Sequence, residues 1–144
     1  MTRILGLDVG ERRIGVAAST PEGTLAVPLR VIDRDSESDV FRAIASLAED
    51  EGIDTIVVGL PKSLDGSLGP QAKLVQAFAE RLAETTGLTV KLTDERLTTA
   101  GARRPPTKAA RKAPSRRGTD PVDDLAAAII LQAYLDKGRP DRGR

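Results

Sequence analysis

The stretch LGLDVGERRIGVA, Leu5 to Ala17, decides how this chain folds. It reads as two apolar strands, over 3–9 and 13–19, joined by the tight polar turn Gly10-Glu11-Arg12. One residue breaks the pattern. Asp8 stands inside the first strand, with Leu5, Leu7 and Val9 around it. Burying a lone carboxylate is costly unless it is paired or bound to a metal ion. Pairing with a buried arginine is the structural account; we favour a bound ion.

Outward from this hairpin, Pro21-Glu22-Gly23 is a further turn and 25–32 (LAVPLRVI) a third strand, with Pro28 arguing for an edge position or a bulge. Short turns between three strands predict an antiparallel meander. The period then changes. From 38 to 51, Val40, Phe41, Ile44, Leu47 and Ala48 fall on one helical face, and Gly52 closes that helix. The continuous apolar run 54–59 (DTIVVG) reads as a strand covered on both faces. After the loop 60–69, Pro70 opens a helix that Gly87 ends, and 88–93 is a further strand. Pro121 opens a last helix over 121–137. The order β-β-β-α-β-α-β-α predicts an α/β fold with one mixed five-stranded sheet.

A chain of 144 residues favours one domain, placed at 1–137, with 138–144 as a disordered polar tail. Apolar residues make up 40%, but two Phe, one Tyr and no Trp leave the core to Val, Ile, Leu and Ala. There is no Cys and no His. Disulfides, thiolate nucleophiles and Cys- or His-based metal sites are therefore excluded, as is the commonest general base. No apolar run approaches the roughly 18 residues of a membrane span, and the start lacks a signal-peptide core. A soluble, cytoplasmic protein without membrane contact is expected.

The net charge of +1 hides an asymmetry. Between 96 and 119 lie eight basic residues, Arg96, Arg103, Arg104, Lys108, Arg111, Lys112, Arg116 and Arg117, and no acid. Removing those eight from 22 leaves 14 basic against 21 acidic residues elsewhere. A cationic block on an acidic chain predicts a polyanionic partner, nucleic acid first, although most such runs are merely solvated loops. Pro105, Pro106 and Pro114 argue against a regular helix there, so a flexible basic arm over 103–119 is expected. It holds no aromatic residue, so contacts to backbone rather than base stacking are expected.

Acids recur where apolar elements end. Glu95, beside Asp94, closes the last strand; Asp123 and Asp124 open the final helix ahead of LAAAIIL. Asp94 reads as a turn residue. One of Asp123 and Asp124 is accounted for by the helix dipole, worth about 0.3–1 kcal/mol. Taken together, these acids and Asp8 suggest a cluster, if the first strand is central. Two carboxylates about 4 Å apart repel by roughly 4 kcal/mol at an effective dielectric of 20, so a cluster takes up protons or binds a cation. An all-oxygen site suits Mg²⁺ or Mn²⁺. Two such ions about 3.5–4 Å apart clamp a phosphodiester under attack and activate water without a histidine.

Four blocks, LGLDVGERRIGVA, IVVGLPKSLDGSLGPQA, DERLTT and VDDLAAAIILQAYLD, resemble in order the signature blocks of the YqgF/RuvX family of Holliday-junction-resolvase-like proteins. The resemblance covers roughly 3–100 and 120–136. It implies a ribonuclease H-like fold, a five-stranded mixed sheet with helices on both faces. It also implies that Asp8, Glu95 and Asp123 are the catalytic acids and metal ligands; helical phasing leaves Asp123 and Asp124 equivalent, and the block match selects Asp123. Lys62, in the GLPKSLDG loop, is a candidate phosphate contact on the same ground, or a surface lysine. The Pro-rich 103–119 departs from the family pattern.

The function expected is a metal-dependent nuclease on structured nucleic acid. By the resemblance its substrate is the 5′ end of the small-subunit ribosomal RNA precursor or else branched DNA; paired cuts on a junction would require a homodimer. Two readings from other classes compete. LDVGERRIGVA also resembles the first phosphate loop of actin-like ATPases and sugar kinases, but those enzymes need two such domains around the nucleotide. A binding module without catalysis needs only the basic arm, but leaves Asp8 unexplained.

Overall fold

The computed structural model describes residues 3–62, 65–95 and 121–137, the side chains of 121–124 excepted. Eight elements follow the predicted order: β1 (Ile4–Val9), β2 (Arg13–Ser19), β3 (Ala26–Asp33), α1 (Glu37–Glu51), β4 (Thr55–Leu60), α2 (Pro70–Thr86), β5 (Thr89–Asp94) and α3 (Pro121–Lys137). The strands form one sheet in the order β3-β2-β1-β4-β5. β1 pairs antiparallel with β2 and parallel with β4, so the first strand is central and the sheet is mixed. β3 is an edge strand, and its register with β2 shifts between Val16 and Ala17, facing Pro28; the proline finds both the edge and the irregularity it requires.

Local signals set the ends of the helices. Ser36 caps α1, its Oγ accepting from the Asp39 N–H at 3.1 Å, and Gly52 terminates it at φ 68°. Pro70 occupies the first turn of α2, and Gly87 ends it at φ 77°. At the sheet edge away from the β1 C-terminus, Arg3 donates to the carbonyls of Ser19 (2.6 Å) and Glu51 (2.7 Å), while the buried Ser19 hydroxyl accepts from the Ile4 N–H at 2.9 Å.

The two faces of the sheet differ in chemistry. Leu5, Leu7, Val9, Ile14, Val16, Ile56 and Val58 face α1 and α2, in a core with Phe41, Ile44, Phe78 and Leu82. The opposite face carries small residues. There Ala17 joins Ala127, Ala128, Leu131 and Leu135 of α3, with Ile4 and Ala26 at the margin. A Cβ on Gly6 would stand 2.7 Å from Leu131 Cβ, so α3 lies on the bare backbone of β1. The glutamine of α3 fixes its far end: Gln132 accepts from the Ala26 N–H and donates to the Thr24 carbonyl, each at 3.0 Å.

Across the surface between α1 and α2, Arg81 grips Glu37 with two bonds of 2.6 and 2.7 Å. This hydrogen-bonded guanidinium holds the Glu37 carboxyl below the usual glutamate range. A lowered pKa adds stability above the unfolded value and loses it as pH falls through the folded one. Both side chains are half exposed, which limits the pair to about 0.2–1 kcal/mol. Arg81→Gln is therefore expected to lower stability slightly at pH 7, with the difference in urea midpoint disappearing as pH falls below the ordinary value of 4.5.

Candidate active site

Strand alternation assigns Asp8 its face. Leu5, Leu7 and Val9 point into the α1/α2 core, whereas Ile4 and Gly6 meet α3. Asp8 continues the second series and lies at the C-terminal end of the central strand. Its antiparallel partner in β2 is Gly15. On its other side Leu7 pairs with Val58, so one step further the parallel register sets Asp8 beside Gly59, about 4.8 Å away between strands. Both cross-strand neighbours of Asp8 thus lack a side chain.

Glu95 fills the space over the second of them. It follows β5 directly, and Gly59 pairs with Thr93 in that strand. A Cβ built on Gly59 would lie 3.0 Å from both Glu95 Cγ and Glu95 Oε2. The Glu95 carboxylate therefore rests on the same face as Asp8, at the same, C-terminal, end of the parallel strands. Asp8 is 9% exposed and Glu95 8%; they are the two buried acids among the described residues. Residues 87 positions apart in sequence converge because β1, β4 and β5 are consecutive in the sheet.

Asp123 belongs to the first turn of α3, one turn before Ala127. The Ala127 carbonyl oxygen lies 3.3 Å from the Cβ position of Gly6, two residues before Asp8. The helix start is thereby directed toward the Asp8 end of β1, since Leu135, near the other end of α3, clusters with Ile4. The Asp123 side chain lies outside the described residues. Among the described residues no group of three potential metal ligands stands together.

Lys62 is placed beside the site but not over it. Its Nζ lies 4.0 Å from Asp94 Oδ2. Alternation along β5 turns Asp94 to the face opposite Glu95, so the adjacent acids serve different sides of the sheet. Asp94, expected as a turn residue, is the last residue of the strand and an ion-pair partner. The remaining candidates for nucleic-acid contact, Arg96, Arg103, Arg104, Lys108, Arg111, Lys112, Arg116 and Arg117, lie outside the described residues, as do the expected arm and tail.

Sequence reasoning missed two contributors. Gly59 stood in view as a glycine within an apolar strand, a sign of close approach. Arg34 gave no local signal. Its Nη1 donates to the Gly10 carbonyl at 2.7 Å, its backbone N–H donates to the Arg12 carbonyl, and its guanidinium stacks over Phe78, 5.3 Å from the ring centroid. It ties the turn that follows Asp8 to the core.

The donor set suits a hard divalent cation. Two buried carboxylates share one face, the strand surface next to Asp8 is bare glycine, and the chain offers no imidazole or thiolate anywhere. Mg²⁺ and Mn²⁺ favour such oxygen donors.

Residues 2–137 match a family model described as "RuvX: Holliday junction resolvase". The chain is 45% identical over 135 residues to a protein of Moorella thermoacetica named "Putative pre-16S rRNA nuclease", covering 94% of this chain and 95% of that one. A protein of the same name from Roseiflexus sp. (strain RS-1) is 43% identical over 137 residues, covering 95% and 96%. In fold, the chain is similar to T. thermophilus RuvC in complex with Holliday junction substrate, with a TM-score of 0.56 at 11% identity over 96% of each chain. This likeness bears out the ribonuclease H-like fold, with its mixed five-stranded sheet between helices. No helix among the described residues is long and apolar enough to cross a membrane.

Proposed function

Because this chain belongs to the RuvX family, we propose that it is a nuclease that hydrolyses phosphodiester bonds of structured nucleic acid with a divalent metal ion, and that its substrate is the 5′ end of the 16S ribosomal RNA precursor. One observation carries the reading: Asp8 and Glu95, far apart in sequence, are buried on one face of the sheet, at the C-terminal ends of β1 and β5.

In this reading Asp8, Glu95 and Asp123 are the catalytic acids and hold the metal. Mg²⁺ or Mn²⁺ held by these carboxylates would supply Lewis-acid chemistry at the phosphodiester and a more acidic water. Asp8 gives a fixed origin, because the central strand that bears it is paired on both sides. Burial lowers the local dielectric and strengthens each carboxylate's hold on a cation. Lys62, next to Asp94, and the basic residues from Arg96 to Arg117 contact the phosphates that flank the scissile bond. The nuclease domain spans 1–137, with 103–119 as its basic arm, and works in the cytoplasm.

A second reading, resolution of branched DNA, is favoured by the RuvC-like fold and the family description. Paired cuts on a junction bring a homodimer with it. A cleavage assay separates the two. Matched precursor RNA, single-stranded DNA and four-way junctions are incubated with Mg²⁺ or Mn²⁺, with Asp8→Asn as the control. Cleavage of RNA supports the first reading and paired nicks in the junction the second. Binding without cleavage at every concentration of either ion overturns both.

A further inference from the structure

Gly59 is a glycine that its backbone does not require. The described glycines at positive φ are Gly23, Gly52, Gly66 and Gly87; Gly59 lies within the regular pairing of β4 with β5. A glycine in a strand interior weakens the strand, so its presence here calls for a reason of space. The space is filled from two sides. A Cβ at position 59 would meet Ile130 Cδ1 of α3 at 2.8 Å, and Glu95 Cγ and Oε2 at 3.0 Å each.

We propose that Gly59 is the positioning residue for Glu95: the bare backbone of β4 is the floor on which the Glu95 carboxylate lies beside Asp8. The inference rests on the metal-site reading of Asp8 and Glu95. Three features support it. Glu95 follows β5 directly, one residue beyond the last paired position, Asp94. The glycine it lies on occupies the strand position beside Asp8. Ile130 Cδ1 crowds the same Cβ position at 2.8 Å, so a methyl group there cannot be accommodated unless Ile130, Glu95 or both give way.

Two steric conflicts at one atom allow the positioning role to be separated from simple packing. Gly59→Ala introduces both. Gly59→Ala with Ile130→Val removes Cδ1, the closer of the two, and leaves the conflict with Glu95. Mn²⁺ binding to the substrate-free protein is measured by calorimetry, with Asp8→Asn as the baseline, and the unfolding midpoint of each metal-free variant is measured alongside. Gly59→Ala is expected to lower the midpoint and to weaken Mn²⁺ binding by tenfold or more. The double variant is expected to recover most of the midpoint but not the Mn²⁺ affinity, while Ile130→Val alone keeps wild-type affinity. Wild-type affinity in Gly59→Ala, or affinity that returns together with stability in the double variant, overturns the positioning role. A wild-type protein that binds no more Mn²⁺ than Asp8→Asn overturns the metal-site reading itself.

Discussion

Asp8→Asn is expected to abolish nucleic-acid cleavage and to leave the metal-free protein at least as stable as the wild type. The exchange preserves the size of the side chain and removes its charge. The carboxylate is buried, and a second buried carboxylate, Glu95, shares its face of the sheet. Two carboxylates that approach to about 4 Å repel by roughly 4 kcal/mol at an effective dielectric of 20, which sets the upper bound of the effect. Neutralising one relieves it. With substrate and metal the sign reverses, because an amide is a far poorer ligand for Mg²⁺ or Mn²⁺ than a carboxylate. A loss of at least about 10³-fold in rate, equivalent to about 4 kcal/mol of barrier, is expected. Urea denaturation of the metal-free variant and cleavage of RNA and junction substrates read the two effects separately. A loss of about 3–5 kcal/mol in the metal-free protein would instead identify Asp8 as half of a buried structural ion pair.

Deleting 103–119 is expected to weaken binding of nucleic acid and to flatten its dependence on salt. The deletion removes seven basic residues and no acid, taking the net charge from +1 to −6. What remains repels a polyanion. Each phosphate neutralised contributes about −0.9 to the log–log salt slope on duplex and about −0.7 on single strands, so full engagement of the seven cations is worth up to about 6 units of slope. The same deletion leaves Mn²⁺ affinity unchanged if the acids alone hold the metal. Fluorescence anisotropy between 50 and 200 mM salt, a range of about 10³–10⁵ in affinity for proteins with six to ten phosphate contacts, has the reach to detect it. An unchanged slope would show that the arm is a solvated loop. Weakening that is uniform across sequences is expected, since the arm offers no aromatic side chain for stacking.

By itself the sequence determined the elements and their order, because these depend on neighbours along the chain. Period and punctuation marked all eight to within a residue or so: Gly52 at the end of α1, Pro70 and Gly87 at the ends of α2, Pro28 on an edge strand. It also exposed Asp8, since a charge inside an apolar run is out of place however the strand is arranged. What the tertiary structure alone decided is which distant residues share a face. Asp94 and Glu95 are adjacent acids with the same local character. Strand alternation sends one toward Lys62, and the register of β5 on β4 lays the other over Gly59, beside Asp8. No local pattern encodes that choice. A shift of one residue in the pairing of β4 and β5 would exchange the two acids, and the observed register is the one that turns Val90 of β5 onto the α1/α2 core.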